Sequence, residues 1–144
     1  MTDTLITVGW REWVHLPDLH LDKIKAKVDT GARTSCLHAF DIQPYEADGE
    51  QRVRFLMHPV QKRDDIVTEC DAKIIDQRLV SDSGGHQEQR YVIESRMVLG
   101  KHSWNIEITL TNRDTMMFRM LLGRTAMENR ILVNPARSFL LGEN

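Results

Sequence analysis

Residues 104–110 read WNIEITL, so that Trp104, Ile106, Ile108 and Leu110 alternate with Asn105, Glu107 and Thr109. A period of two residues sends apolar side chains to one face and polar ones to the other, the signature of a strand with one wet face. The same alternation recurs in Ile24, Ala26 and Val28 with Lys25 and Lys27, in Val53, Phe55 and Met57 with Arg52 and Arg54, and in Cys70, Ala72 and Ile74 with Asp71 and Lys73. Turn residues punctuate these runs at Ala47-Asp48-Gly49, Ser81-Asp82-Ser83-Gly84-Gly85 and Leu99-Gly100-Lys101. The second of these stands between QRLV and QRYVIES and predicts the tip of a long hairpin. Only RTAMENR, after Gly123, has helical spacing, with Ala126, Met127 and Arg130 on one side. The expectation is an all-β chain, a small barrel or sandwich with one short C-terminal helix, and residues 1–144 as a single domain.

With 41% apolar and 28% charged residues in 144, the chain can bury a core without covalent staples. Nineteen Lys and Arg against 21 Asp and Glu give a formal net charge of −2, which supplies no electrostatic reason to expect nucleic acid or anionic lipid as a partner. The opening MTDTLITVGWREW has no basic leader before an apolar stretch, and no apolar run reaches membrane-spanning length. A cytoplasmic location is therefore expected, with Cys36 and Cys70 as reduced, buried thiols.

The chemistry concentrates at Asp29-Thr30-Gly31-Ala32, where the IKAKV strand should end. Glycine lets the chain turn sharply and present the carboxylate from a backbone-walled loop. Two such loops face to face would bring two carboxylates so close that they share one proton. One could then act as base toward water while the other, protonated, supports the substrate carbonyl. Asp-Thr-Gly is also an ordinary turn or helix cap, and the four residues alone do not separate these readings.

Two further landmarks follow in order: DSGG at 82–85 and LLGR at 121–124. Together the three resemble the retropepsin-type aspartic peptidases, whose subunit carries an Asp-Thr-Gly-Ala/Ser loop, a glycine-tipped flap hairpin and a late apolar-apolar-Gly-Arg segment leading into a helix. The stretches GWREWVHLP (9–17), KVDTGARTSCLHA (27–39), RLVSDSGGHQEQRYVI (78–93) and WNIEITLTNRDTMMFRMLLGR (104–124) further resemble a bacterial retropepsin-like family often labelled "ATP-dependent zinc protease". Some of its members are associated with ATP-grasp ligases that add glutamate tails to a ribosomal protein. The label finds no support in the residues. There is no GxxxxGK[ST] phosphate cradle and no HExxH, and His15, His20, His38, His58, His86 and His102 are scattered. No cofactor and no metal is expected.

The resemblance implies an aspartic endopeptidase with Asp29 as catalytic carboxylate and with Thr30 and Gly31 shaping its loop. It places Arg78, Ser83, Gly84, Glu88 and Arg90 on the flap. For an acidic substrate, Arg78 and Arg90, two strands apart, could hold carboxylates by forked hydrogen bonds, with Arg33 as a further candidate. Arg124 is expected to brace the catalytic loop, His38 to be a core histidine, and Trp10, Trp13 and Trp104 to anchor the core or a subunit contact. Asp-Thr recurs at 3–4 and 114–115 without a following glycine, so a dyad would need a homodimer built about a two-fold axis. Residues 3–8 and 138–142 are the expected interleaving terminal strands. The implied partner is a peptide or protein substrate bearing glutamate-rich tails, with neither nucleic acid nor membrane. The competing class is a retropepsin-like barrel that recognises a protein partner without cleaving it.

Overall fold

The computed structural model describes residues 5–60, 63, 65–81, 84–112 and 118–142. Eleven strands are present among them: β1 (Ile6–Val8), β2 (Arg11–Leu16), β3 (Leu21–Val28), β4 (Ser35–His38), β5 (Phe40–Ala47), β6 (Glu50–Met57), β7 (Thr68–Ser81), β8 (Gln87–Leu99), β9 (His102–Thr111), β10 (Met120–Leu122) and β11 (Ile131–Val133). A single α-helical turn, α1 (Arg124–Met127), lies between β10 and β11. The main sheet runs β2-β3-β10-β4-β9-β8-β7-β6-β5, and a further pairing of β2 with β8 closes its first six strands into a barrel. Closure leaves β7, β6 and β5 as an antiparallel flange continuing from β8. The all-β expectation holds, and it is a barrel rather than a sandwich.

The alternating runs are the strands that line this core. Ile24, Ala26 and Val28 of β3 and Ile106, Ile108 and Leu110 of β9 are buried, with Val14 and Leu16 of β2 and Met97 and Leu99 of β8. Each large aliphatic side chain removed from water contributes about 1.5–3 kcal/mol. Phe55 and Met57 of β6 carry the core outward under the flange, where Cys70 and Ala72 of β7 meet them. Both cysteines are buried thiols, as expected. The Asp48-Gly49 pair joins β5 to β6 with both residues at positive φ, 53° and 80°. That left-handed pair matches the twist of a two-residue hairpin.

In the C-terminal region one expectation holds and another is corrected. The short helix begins in RTAMENR as expected and stops after its first turn, because Glu128 is extended at ψ 130° and Asn129 lies at φ 64°. Residues 138–142 form no strand: Phe139 and Gly142 have φ of 53° and 73°, and the segment folds back in turns. Its backbone is held instead by Glu12, fully buried, whose carboxylate accepts the N–H groups of Gly9 at 2.7 Å, Leu140 at 2.9 Å and Leu141 at 3.2 Å. Within the chain, β1 pairs with β11 in parallel, Ile6 opposite Ile131 and Val8 opposite Val133.

The tryptophans anchor this region. Trp13 stacks on Phe139 with ring centroids 5.5 Å apart, and Trp10 meets Phe118 edge-on. Arg11 lies over the rings of both Trp10 and Phe139. Trp104 donates its indole N–H to the Ala126 carbonyl at 3.0 Å and so ties α1 to β9.

Candidate active site

β10 is only three residues long, yet it decides where Asp29 sits. It lies between β3 and β4, parallel to the first and antiparallel to the second. The Asp29 N–H then continues the ladder by donating to the Leu122 carbonyl at 2.9 Å. Immediately afterwards the chain turns. Gly31 N–H donates to Asp29 Oδ1 at 3.0 Å, and Ala32 N–H to the Asp29 carbonyl at 3.2 Å. A Cβ on Gly31 would lie 3.2 Å from that same carboxylate oxygen, so glycine leaves the carboxylate room.

The segment after β10 locks the loop from outside. Arg124 Nη1 donates to the Thr30 carbonyl at 3.0 Å, and the backbone N–H groups of Arg124 and Thr125 donate to the carbonyls of Ala32 and Arg33. Gly123 N–H donates to the buried Ser35 hydroxyl at 2.9 Å. Arg124 therefore braces the loop, as the sequence suggests. Thr30 itself is exposed, and among the described residues its hydroxyl has no partner.

Asp29, partly exposed, opens onto a cleft of about 740 Å³ between this loop and the β7–β8 hairpin. Gly31 and Arg33 line it on the loop side, Arg78 and Arg90 on the hairpin side, and Cys36, Thr109 and Thr111 from β4 and β9. Among the described lining residues Asp29 is the one acid, beside three arginines.

Arg78 and Arg90 are not two strands apart. They stand directly opposite each other on adjacent strands. Each is already engaged with acids. Arg78 donates from Nε to Asp76 at 2.7 Å and from Nη1 to Glu107 at 2.8 Å, and these two partners, Glu107 first, raise its guanidinium above its ordinary range. Arg90, 8% exposed, donates from Nε to Glu88 at 3.1 Å and from Nη1 toward Cys36 Sγ at 3.6 Å. The Glu88 carboxylate also accepts from the Thr111 hydroxyl at 2.8 Å. Glu88 is thus a link between hairpin and barrel floor and does not line the cleft.

Of the hairpin tip, Ser83 lies outside the described residues, and Gly84 is described but does not line the cleft. His38 is buried on β4, away from the cleft lining. No group of three or more His, Cys, Asp or Glu that could hold a metal ion occurs among the described residues.

Glu12 went unmarked by the sequence reading. The signal for it was present: alternation along REWVHL puts Glu12 on the same face as Val14 and Leu16, and that face is the core. An acid in register with buried aliphatics must find hydrogen-bond donors, and here they are the backbone of the two terminal segments.

The chain is similar to several known proteins. The chain is 49% identical over 143 residues to a probable alpha-L-glutamate ligase of Shewanella halifaxensis, a match that covers 99% of this chain and 31% of that protein. A protein of the same description from Parasynechococcus marenigrum is 49% identical over 138 residues, covering 96% of this chain and 30% of that one. The chain thus spans about a third of the length of these curated relatives. A solved structure from Legionella pneumophila, of a protein of unknown function, superposes with a TM-score of 0.80 at 27% identity, covering 96% of this chain and 99% of that one. Residues 7–144 match the family described as RimB-like, retropepsin-like aspartic endopeptidase RimB. With that match over nearly its whole length, the chain belongs to the RimB-like family of retropepsin-like aspartic endopeptidases.

Proposed function

We propose that the protein is an aspartic endopeptidase of the cytoplasm that works as a homodimer and trims glutamate-rich tails. The observation that carries this reading is a loop carboxylate, Asp29, opening onto a cleft otherwise charged by Arg33, Arg78 and Arg90. One Asp29 per chain supplies half of a dyad, and a second copy supplies the other half across a two-fold axis. The exposed Thr30 hydroxyl, without a partner among the described residues, is available to a facing loop.

In the assembled site the two carboxylates hold one proton between them, since like charges at that distance do not both ionise. The ionised one takes a proton from water as the oxygen attacks the scissile carbonyl. The protonated one donates to the carbonyl oxygen. Collapse of the tetrahedral intermediate breaks the C–N bond, with a proton passing to the leaving amine, so water is consumed and both carboxyl groups return to their starting state. Gly31, Thr30 and Arg124 keep the loop in place while this happens.

The acidic substrate class draws on the arginines of the cleft and on the relatives described as glutamate ligases, beside whose activity a peptidase of glutamate chains has a natural place. The test is hydrolysis of a glutamate-tailed peptide by the wild type and by Asp29→Asn. The variant is expected to fold and to lose hydrolysis by at least a thousandfold. Full activity in it would end the proposal, and a wild type that captures the peptide without cutting it would make the domain a binding module.

A further inference from the structure

Three arginines line the cleft, and the geometry divides their labour. Arg78 is bound to both Asp76 and Glu107, and Arg90 is buried against Glu88 and Cys36. Their charges are matched by acids of the same sheet, and two N–H donors of each are engaged in tying the hairpin strands β7 and β8 to β9 and β4. Arg33 differs on every count. Its backbone is fixed, because its carbonyl accepts the Thr125 N–H at 2.9 Å, but its side chain is exposed, lines the cleft and meets no acid among the described residues. It also follows Asp29 by only four positions, on the loop that presents the carboxylate.

We propose that Arg33 is the specificity-determining residue of the cleft, the cation that receives a glutamate carboxylate of the substrate, whereas Arg78 and Arg90 are positioning residues that hold the hairpin over the floor. This rests on the reading of the cleft as a peptide site and deepens it. The physical case is one of competition. A substrate carboxylate approaching Arg78 or Arg90 meets a guanidinium whose charge an acid already balances, so it gains less there than at an unmatched cation. At Arg33 it replaces water alone. A guanidinium on an anchored backbone also gives up less freedom on binding than one on a mobile loop, and its planar fork matches a carboxylate in two-point contact.

The experiment measures binding rather than turnover, so that it stands apart from catalysis. Full-length Asp29→Asn protein is titrated with a peptide ending in four glutamates and with its glutamine counterpart, and the ratio of the two affinities is read. Adding Arg33→Gln is expected to lower that ratio about tenfold, the loss of one charge-assisted contact, with Arg33→Lys retaining part of the preference. Arg78→Gln is expected to weaken both peptides alike and so to leave the ratio in place. An unchanged ratio in Arg33→Gln, an equal loss for both peptides, or no preference for the acidic peptide at the outset would each overturn the assignment. If instead the ratio depends on Arg33 while the wild type hydrolyses neither peptide, Arg33 keeps its role and it is the peptidase reading that falls.

Discussion

Gly123 packs so tightly on Thr34 that a Cβ at position 123 would lie 2.5 Å from the Thr34 carbonyl carbon and 2.7 Å from the Ser35 nitrogen. Both obstacles are backbone, and they belong to the segment that runs from the Asp29 loop into β4. Nothing flexible can move aside.

Gly123→Ala is therefore expected to force the two segments apart, at a cost of about 1–3 kcal/mol, the usual range for overpacking a tight site. Urea unfolding measures that loss. Because the Gly123 N–H bond to Ser35 and the Arg124 bond to Thr30 depend on the same approach, hydrolytic activity is expected to fall further than the unfolded fraction accounts for.

Glu12→Ala is expected to loosen the C-terminal segment. Three backbone N–H groups, two of them in residues 140–141, lose their acceptor, and a buried donor left unmade costs about 1–3 kcal/mol. Hydrogen exchange should report faster exchange at Leu140 and Leu141, and Trp13 fluorescence should change as Phe139 leaves its ring. Unaltered exchange at both amides would show that Glu12 does not hold them.

Asp71 supplies a pH-dependent contribution in the flange. Burial pushes its carboxyl up, but hydrogen bonds from the Tyr45 hydroxyl and Arg52, with the charges of Arg52 and Arg54, outweigh burial and leave it below the ordinary carboxylate range. A carboxylate depressed on folding stabilises the folded state above its unfolded value, near 4, and that stabilisation is lost as pH falls through the lower folded value. The difference in Tm between wild type and Asp71→Asn is thus expected to be full at pH 7 and to shrink below about pH 4. With the group about a third exposed, the full effect should be about 1 kcal/mol.

Much of this architecture was legible because period-two alternation is local. The WNIEITL run announces β9, although Thr109 on its expected wet face is buried, and Asp48-Gly49 announces its hairpin. The place of β10 was not legible: three residues, Met120–Leu122, carry no measurable period, and their insertion between β3 and β4 joins segments more than eighty residues apart in the chain. The end of the chain misled for a related reason. Ser-Phe-Leu-Leu has strand-like composition, but its conformation follows from the buried Glu12 carboxylate, a partner some 128 residues away. At the site, Asp29, Gly31 and the Arg124 brace could be read from short motifs. The division between engaged and open arginines depends on Asp76, Glu88 and Glu107, whose approach to Arg78 and Arg90 is set by strand register.

Whether two chains share one hydrolytic site through their Asp29 side chains is read out by a subunit-mixing titration. Wild type and Asp29→Asn are combined in varying proportion at constant total concentration, allowed to exchange subunits, and assayed on a glutamate-tailed peptide. Activity is expected to fall as the square of the wild-type fraction, because every mixed dimer holds one carboxylate and is inactive. Activity proportional to the wild-type fraction would mean that each chain carries a complete site of its own, and would contradict it.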